Sequence, residues 1–183
     1  IKLGDPMNET TDMGPMSSNT QRQKAIATVE QACRDGARIL SGGRQPDQFE
    51  TGYFYEPTVL NNISPEMEIV TEESFSPVIP IQKVRSMEEA IEQSNSTKYG
   101  LGCCIYTNDI DRAMTAAEEI KSGTICINNP LMENIAAPFG GMKQSGIGRE
   151  HGQEALDEFR EPKHIFIDYK QSKKDWWFGV EGK

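Results

Sequence analysis

The chain has 183 residues, enough for one domain that buries roughly two thirds of its unfolded surface without a disulfide or metal to hold it together. Hydrophobic residues make up 36% and charged residues 26%, the balance of a folded domain and not of a disordered chain. A net charge of -9, with Lys and Arg gathered on no segment, repels phosphate backbones and anionic lipid and argues against nucleic acid and membrane as partners.

Cys33, Cys103, Cys104 and Cys126 have none of the spacings of a zinc site or a disulfide framework, which predicts a reducing, cytoplasmic setting and no bound metal. No apolar run reaches the roughly 20 residues that span a bilayer. The opening Ile1-Lys2-Leu3-Gly4-Asp5-Pro6 has the character of neither a signal nor a transit peptide. An Ile in place of Met, running straight into a Gly-Asp-Pro turn, is expected of a sequence that starts partway along a longer one.

Residues 4–15 are rich in Gly, Pro, Asp, Asn and Thr and read as a loop. Ser17 or Ser18 is the N-cap of a predicted helix reaching Arg34, with Ile26, Val29 and Cys33 on its apolar face. Gly36 stops it, Ala37 to Leu40 reads as a short buried strand, and Ser41-Gly42-Gly43 turns the chain. Tyr53 through Leu60 reads as a strand broken by Pro57, and a proline there assigns it to an edge.

Ser86-Met87-Glu88-Glu89 fits a capping box at the start of a helix from Met87 to Asn95. Leu101 to Thr107 is a predicted strand. Asp109 or Asp111 then opens a helix with Ala113, Ala116, Ala117 and Ile120 at helical spacing, Gly123 closes it, and Thr124 to Asn128 is the next strand. Strand, helix, strand in that order is what a parallel crossover needs. Glu150 to Phe159 is the last helix and Lys163 to Tyr169 the last strand, which either packs in its own core or pairs with another subunit. A polar tail with Trp176, Trp177 and Phe178 follows. The fold class is α/β, an open and mostly parallel sheet flanked by helices.

Three segments have the residue types of a ligand site. In Glu72-Glu73-Ser74-Phe75-Ser76-Pro77-Val78 two carboxylates precede an aromatic ring. A carboxylate accepts from paired ribose hydroxyls and a ring packs on a nicotinamide, although from the residues alone an exposed Glu pair beside a core Phe is the commoner arrangement. Pro138 to Glu150 holds four glycines in the nine residues from Gly140 to Gly148, matching neither the phosphate loop nor the dinucleotide fingerprint, and reads as a structural turn. Asn128 to Ala137 leaves the C-terminal end of a strand, where open α/β sheets place ligands, and is otherwise a surface loop.

Taken in order, these segments resemble the C-terminal region of the aldehyde dehydrogenase superfamily. The likeness runs through Gly4-Asp5-Pro6, Asp12-Met13-Gly14-Pro15, Gly52 to Leu60, Glu72 to Val78, Tyr99-Gly100-Leu101 and Pro138 to Glu150, and covers about residues 3 to 170. It implies NAD- or NADP-dependent oxidation of a small aldehyde to a carboxylic acid through a cysteine thiohemiacetal and thioester. It also implies the catalytic-domain fold over residues 1–162, an oligomerisation strand and tail over residues 163–183, and a homodimer or homotetramer. Glu73 resembles the carboxylate that holds the nicotinamide ribose, and Phe75 the ring that positions the nicotinamide. The family usually has Gly where this chain has Ser76, which restricts the backbone there.

Glu150 resembles the family's second glutamate, a proton relay or else a charge at a helix start. Arg149 and Glu161 resemble an ion-paired couple near the subunit interface. Leu131, Met132, Glu133, Asn134 and Ile135 fall at the mouth of the aldehyde tunnel. Glu133 stands where an apolar or aromatic residue is common, which suits a polar or cationic aldehyde. The family's nucleophile lies in a Gly-Gln-x-Cys context upstream of Gly-Asp-Pro, and none of the four cysteines here has those neighbours. The nucleotide-binding half and the nucleophile are therefore expected from the same longer chain or from a separate one. The alternative is an inactive folded fragment or assembly module.

Overall fold

A computed structural model describes residues 1–130 and 134–169. Helix α1 (Asn19–Arg34) starts at Ser18, whose extended backbone lets its hydroxyl accept from the Gln21 amide at 3.2 Å, satisfying one of the donors that a helix start leaves open. Ala25, Val29 and Ala32 form its buried face, with Ile26 and Cys33 at the margin. Ser18→Ala is expected to lower stability by about 1 kcal/mol. A lower urea midpoint at unchanged slope would register that loss.

Strands β1 (Arg38–Ser41), β2 (Thr58–Asn61) and β3 (Val78–Pro80) form a sheet in that order, β1 antiparallel and β3 parallel to β2. The short helix α2 (Glu68–Thr71) lies between β2 and β3 in sequence and packs against α1. Leu60 is 0% exposed at the centre of a core with Tyr55, Met67, Ile69, Val78 and the buried face of α1. Two expectations are corrected here. The first strand is exposed along its length, because it borders β2 on one side only. The strand after Pro57 is central, not an edge: the ladder begins at Thr58, so the proline ring stands outside it. The rule holds instead at Pro80, on the edge strand β3.

Helix α3 (Met87–Ser96) is capped by Ser86, whose hydroxyl accepts from the Glu89 amide at 3.2 Å. The Glu89 carboxylate accepts from the Arg85 amide at 2.8 Å, one residue before the position a capping box expects. Strands β4 (Gly102–Ile105) and β5 (Thr124–Ile127) are parallel, joined by α4 (Ile110–Glu119) with Asp109 as N-cap. Ile91, Ala116 and Ile120 bury one face of this pair together with Cys103, Ile105 and Ile125. The chain then runs through a 3-10 turn (Lys143–Ser145) to α5 (Gly152–Glu158).

The described residues therefore make a mixed α/β fold with a three-stranded and a two-stranded sheet, not one open sheet. Lys163 to Tyr169, expected as the last strand, pairs with no described strand, and Ile165, Phe166 and Ile167 are 71%, 75% and 67% exposed. Packing into the core of its own chain is thereby corrected. Trp176, Trp177 and Phe178 lie outside the described residues.

Candidate functional site

The turn between α2 and β3 carries Glu72, Glu73 and Phe75. Lys98 Nζ lies 2.6 and 2.7 Å from the two oxygens of Glu72, a contact that holds the ammonium above its ordinary pKa. Glu73 is exposed, and its carboxylate has no hydrogen bond or ion pair among the described residues. Phe75 is 79% exposed and sits at φ 41, a left-handed conformation that side-chain-bearing residues rarely adopt. Gln21 Nε2 holds it there, donating to the Phe75 carbonyl at 2.9 Å and reaching the Ser74 carbonyl at 3.4 Å. Strain of this kind persists only where neighbours over-determine it.

The left-handed residue is Phe75 and not Ser76, so the Cβ at 76 costs nothing in backbone strain. Its hydroxyl donates to Ser74 Oγ at 3.1 Å. Immediately beyond, the Pro77 carbonyl accepts from the Thr58 amide at 2.8 Å and joins the turn to the β2–β3 ladder. The turn is pinned at both ends while its two ligand-type side chains stay free.

Glu73 and Phe75 border a cleft of about 690 Å³ that is also lined by Tyr99, Leu101, Gln144 and Ser145. A smaller cleft of about 430 Å³ lies on the α1 side of Glu73. Gly100 gathers the larger one: its amide donates to Ser145 Oγ at 2.9 Å, and its carbonyl accepts from Met142 at 2.8 Å and from Gly123 at 3.0 Å. The glycine-rich segment thus reaches the Glu73 turn through a tyrosine-glycine corner, and two of the three ligand-type segments meet.

The remaining site residues that are described gather at a second place. Phe139 and Glu150 exchange backbone hydrogen bonds of 2.7 Å in both directions, and the Gly152 amide donates to the Ile135 carbonyl at 3.1 Å. Asn134 Oδ1 accepts from the Ala136 amide at 3.0 Å. Asn134, Ile135 and Glu150 are therefore neighbours, and Glu150 does not line the cleft of Glu73 and Phe75. Leu131, Met132 and Glu133 lie outside the described residues. The Arg149 guanidinium donates to the carbonyls of Gly141 at 3.0 Å and Gly148 at 2.7 Å and does not pair with Glu161, which corrects the expected ion pair. It closes the glycine-rich turn instead.

Cys103, Cys104 and Cys126 are half-buried rather than buried, and burial pushes the Cys103 thiol up from its ordinary pKa. Four contributors are not legible in the sequence. Gln21 and Lys98 act on residues far away along the chain. Asn128, at φ 59, brackets Thr107 by accepting from its amide at 2.8 Å and donating to its carbonyl at 2.7 Å. His151 stands at the N-terminal boundary of α5 at φ 60, without a side-chain capping bond, with its ring tilted against Phe139. The only signal for Asn128 is its place at a strand end, since Asn tolerates left-handed backbone better than most residues.

Comparison with known proteins gives the geometry a relationship. The profile of the Aldehyde dehydrogenase family matches residues 1–165. Betaine aldehyde dehydrogenase of Bacillus subtilis is 38% identical over 179 residues, covering 97% of this chain and 36% of that protein. Cytosolic 10-formyltetrahydrofolate dehydrogenase of Xenopus tropicalis is 36% identical over 171 residues, 92% of this chain and 19% of that protein. The crystal structure of betaine aldehyde dehydrogenase from Staphylococcus aureus in complex with NAD+ superposes with a TM-score of 0.90 at 39% identity, over 98% of this chain and 36% of that one. The chain thus spans about a third or less of the length of these relatives. On the match over residues 1–165, it belongs to the aldehyde dehydrogenase family.

Proposed function

We propose that the chain is the C-terminal part of an enzyme that oxidises a small aldehyde to a carboxylic acid with NAD or NADP, through a thioester on a cysteine supplied from outside this sequence. The observation that carries the reading is the turn at Glu73 and Phe75: a free carboxylate and an exposed ring, held in a strained conformation by Gln21. A nicotinamide riboside fits these groups. Glu73 accepts from the paired ribose hydroxyls, charge-assisted bonds that are stronger than neutral ones, and Phe75 offers its face to the nicotinamide. Bound NAD(P)+ supplies the hydride acceptor. Lys98 keeps Glu72 occupied, so Glu73 is the carboxylate left for the ribose.

Glu150 is the relay: its backbone is fixed to Phe139 while its exposed side chain can hold and pass a proton near the rim residues Asn134 and Ile135. Leu131, Met132 and Glu133 complete that rim in sequence. A carboxylate at position 133 favours a cationic aldehyde, in keeping with relatives named for betaine aldehyde and for aminoaldehydes. Glu133→Leu in the complete enzyme is expected to lower kcat/KM for cationic aldehydes about tenfold and to spare neutral aliphatic ones, a difference of about 1.4 kcal/mol. Parallel loss on both classes in a steady-state comparison would remove Glu133 from substrate selection.

Residues 1–162 are assigned to the catalytic domain and 163–183 to an assembly strand and tail of a cytoplasmic homodimer or homotetramer. The exposed Ile165, Phe166 and Ile167 favour an assembly role for that end whether or not the protein is active, which keeps a non-catalytic assembly module as the second reading. Absorbance of the reduced nicotinamide decides between them. A complete enzyme built on these residues is expected to turn over an aldehyde, and the 183-residue chain alone to form no reduced cofactor. A complete enzyme that reduces no cofactor with any aldehyde would leave only the assembly reading.

A further inference from the structure

Strands β4 and β5 bring two thiols side by side on a face that the proposed chemistry does not use. Register pairs Cys103 with Ile125, Cys104 with Cys126, and Ile105 with Ile127. Side chains alternate across a strand, so partners in register share a face. Cys103, Ile105 and Ile125 pack toward Ile91, Ala116 and Ile120, which places Cys104 and Cys126 together on the opposite face. Both are free thiols and half-buried.

Tyr106, one residue past the end of β4, lies near enough to both sulfurs to sense them. The Cys104 side chain more than any other influence pushes the Tyr106 phenol above its ordinary pKa, with Cys126 adding to the effect. One phenol therefore feels both sulfurs. Neighbouring strands stand about 4.8 Å apart, inside the roughly 4.4–6.8 Å between Cα atoms that a disulfide spans.

We propose that Cys104 and Cys126 form a reversible intrachain disulfide when the protein meets a peroxide. The Cys104 thiolate attacks the peroxide O–O bond, an S–O bond forms, the O–O bond breaks, and hydroxide leaves. The Cys126 sulfur then attacks Cys104 Sγ; an S–S bond forms, the S–O bond breaks, and the second hydroxide leaves with the thiol proton as water. Two thiols and one hydrogen peroxide give one disulfide and two waters: the sulfurs are oxidised and the peroxide is reduced. The bond would staple the β4–α4–β5 crossover just before Asn128, the residue that opens the rim loop.

Mass spectrometry of the 183-residue chain after hydrogen peroxide tests this. The expected result is a loss of about 2 Da, the two thiol hydrogens, restored by dithiothreitol. A non-reduced digest is expected to link the Cys103–Cys104 peptide to the Cys126 peptide. The link is expected to survive Cys103→Ser and Cys33→Ser and to vanish in Cys104→Ser. Oxygen gained on single sulfurs without a link, a Cys103–Cys104 bond, or chains cross-linked to one another would each overturn the proposal. Because the wild-type digest is read directly, a variant that fails to fold leaves the test intact.

Discussion

Glu73→Gln in the complete enzyme is expected to lower kcat/KM for the nicotinamide cofactor by about 10- to 100-fold, a loss of about 1.4–2.8 kcal/mol. The amide keeps the shape and removes the charge that would strengthen both of the proposed bonds to the ribose hydroxyls. Glu72 is held by Lys98 at 2.6 and 2.7 Å and cannot take over. The loss should appear mainly as a higher cofactor KM, with the aldehyde KM little changed, because the turn borders the Tyr99 and Ser145 cleft and not the Asn134 and Ile135 rim. Initial rates at varied cofactor, with Glu72→Gln beside it, separate the two carboxylates. Equal effects of the two substitutions would assign neither to the ribose.

The second large effect concerns stability. Gly123→Ala is expected to cost about 3 kcal/mol, near the upper end of what overpacking usually does. A Cβ at residue 123 would fall inside the Gly140 carbonyl, backbone against backbone, where no side-chain rotation relieves it. Moving the glycine-rich segment away would strain the bonds that Gly100 makes to Gly123, Met142 and Ser145. Gly102→Ala is the matched control: the nearest non-neighbouring atom to its Cβ is the Thr124 carbonyl oxygen at 3.8 Å, so it should be near neutral. Urea unfolding of both variants measures the difference. Similar midpoints would mean that the glycine-rich segment is not packed on Gly123.

What was legible in the sequence was local. Ser18, Ser86 and Asp109 were readable as helix starts because a cap needs only its own hydroxyl or carboxylate and an amide three residues on. The β4–α4–β5 crossover followed from the change of hydrophobic period from strand to helix and back. The order of β1, β2 and β3 was not legible, since Pro57 marks an edge only if it lies inside the ladder, and the ladder starts one residue later.

The site divides the same way. Glu73 and Phe75 stood out by residue type, and the structure sets both on one exposed turn. That Phe75 rather than Ser76 takes the left-handed backbone depends on Gln21, 54 residues away, and no local pattern encodes it. The separation of Glu150 from the cleft was equally hidden, because the Phe139 bridge folds the glycine-rich segment back on itself. For Lys163 to Tyr169, the apolar run Ile165 to Ile167 suggests a strand by residue type but cannot name a partner, and the described residues form no strand there.

The most direct test of the account is hydrogen exchange in the complete enzyme with and without saturating NAD+, read on the peptide covering residues 72–78. If Glu73 and Phe75 form the wall that receives the nicotinamide riboside, the amides of this turn slow when the cofactor binds, while those of β1 do not change. Unchanged exchange at residues 72–78 in an enzyme shown to be saturated with NAD+ would contradict the assignment of this turn to the cofactor.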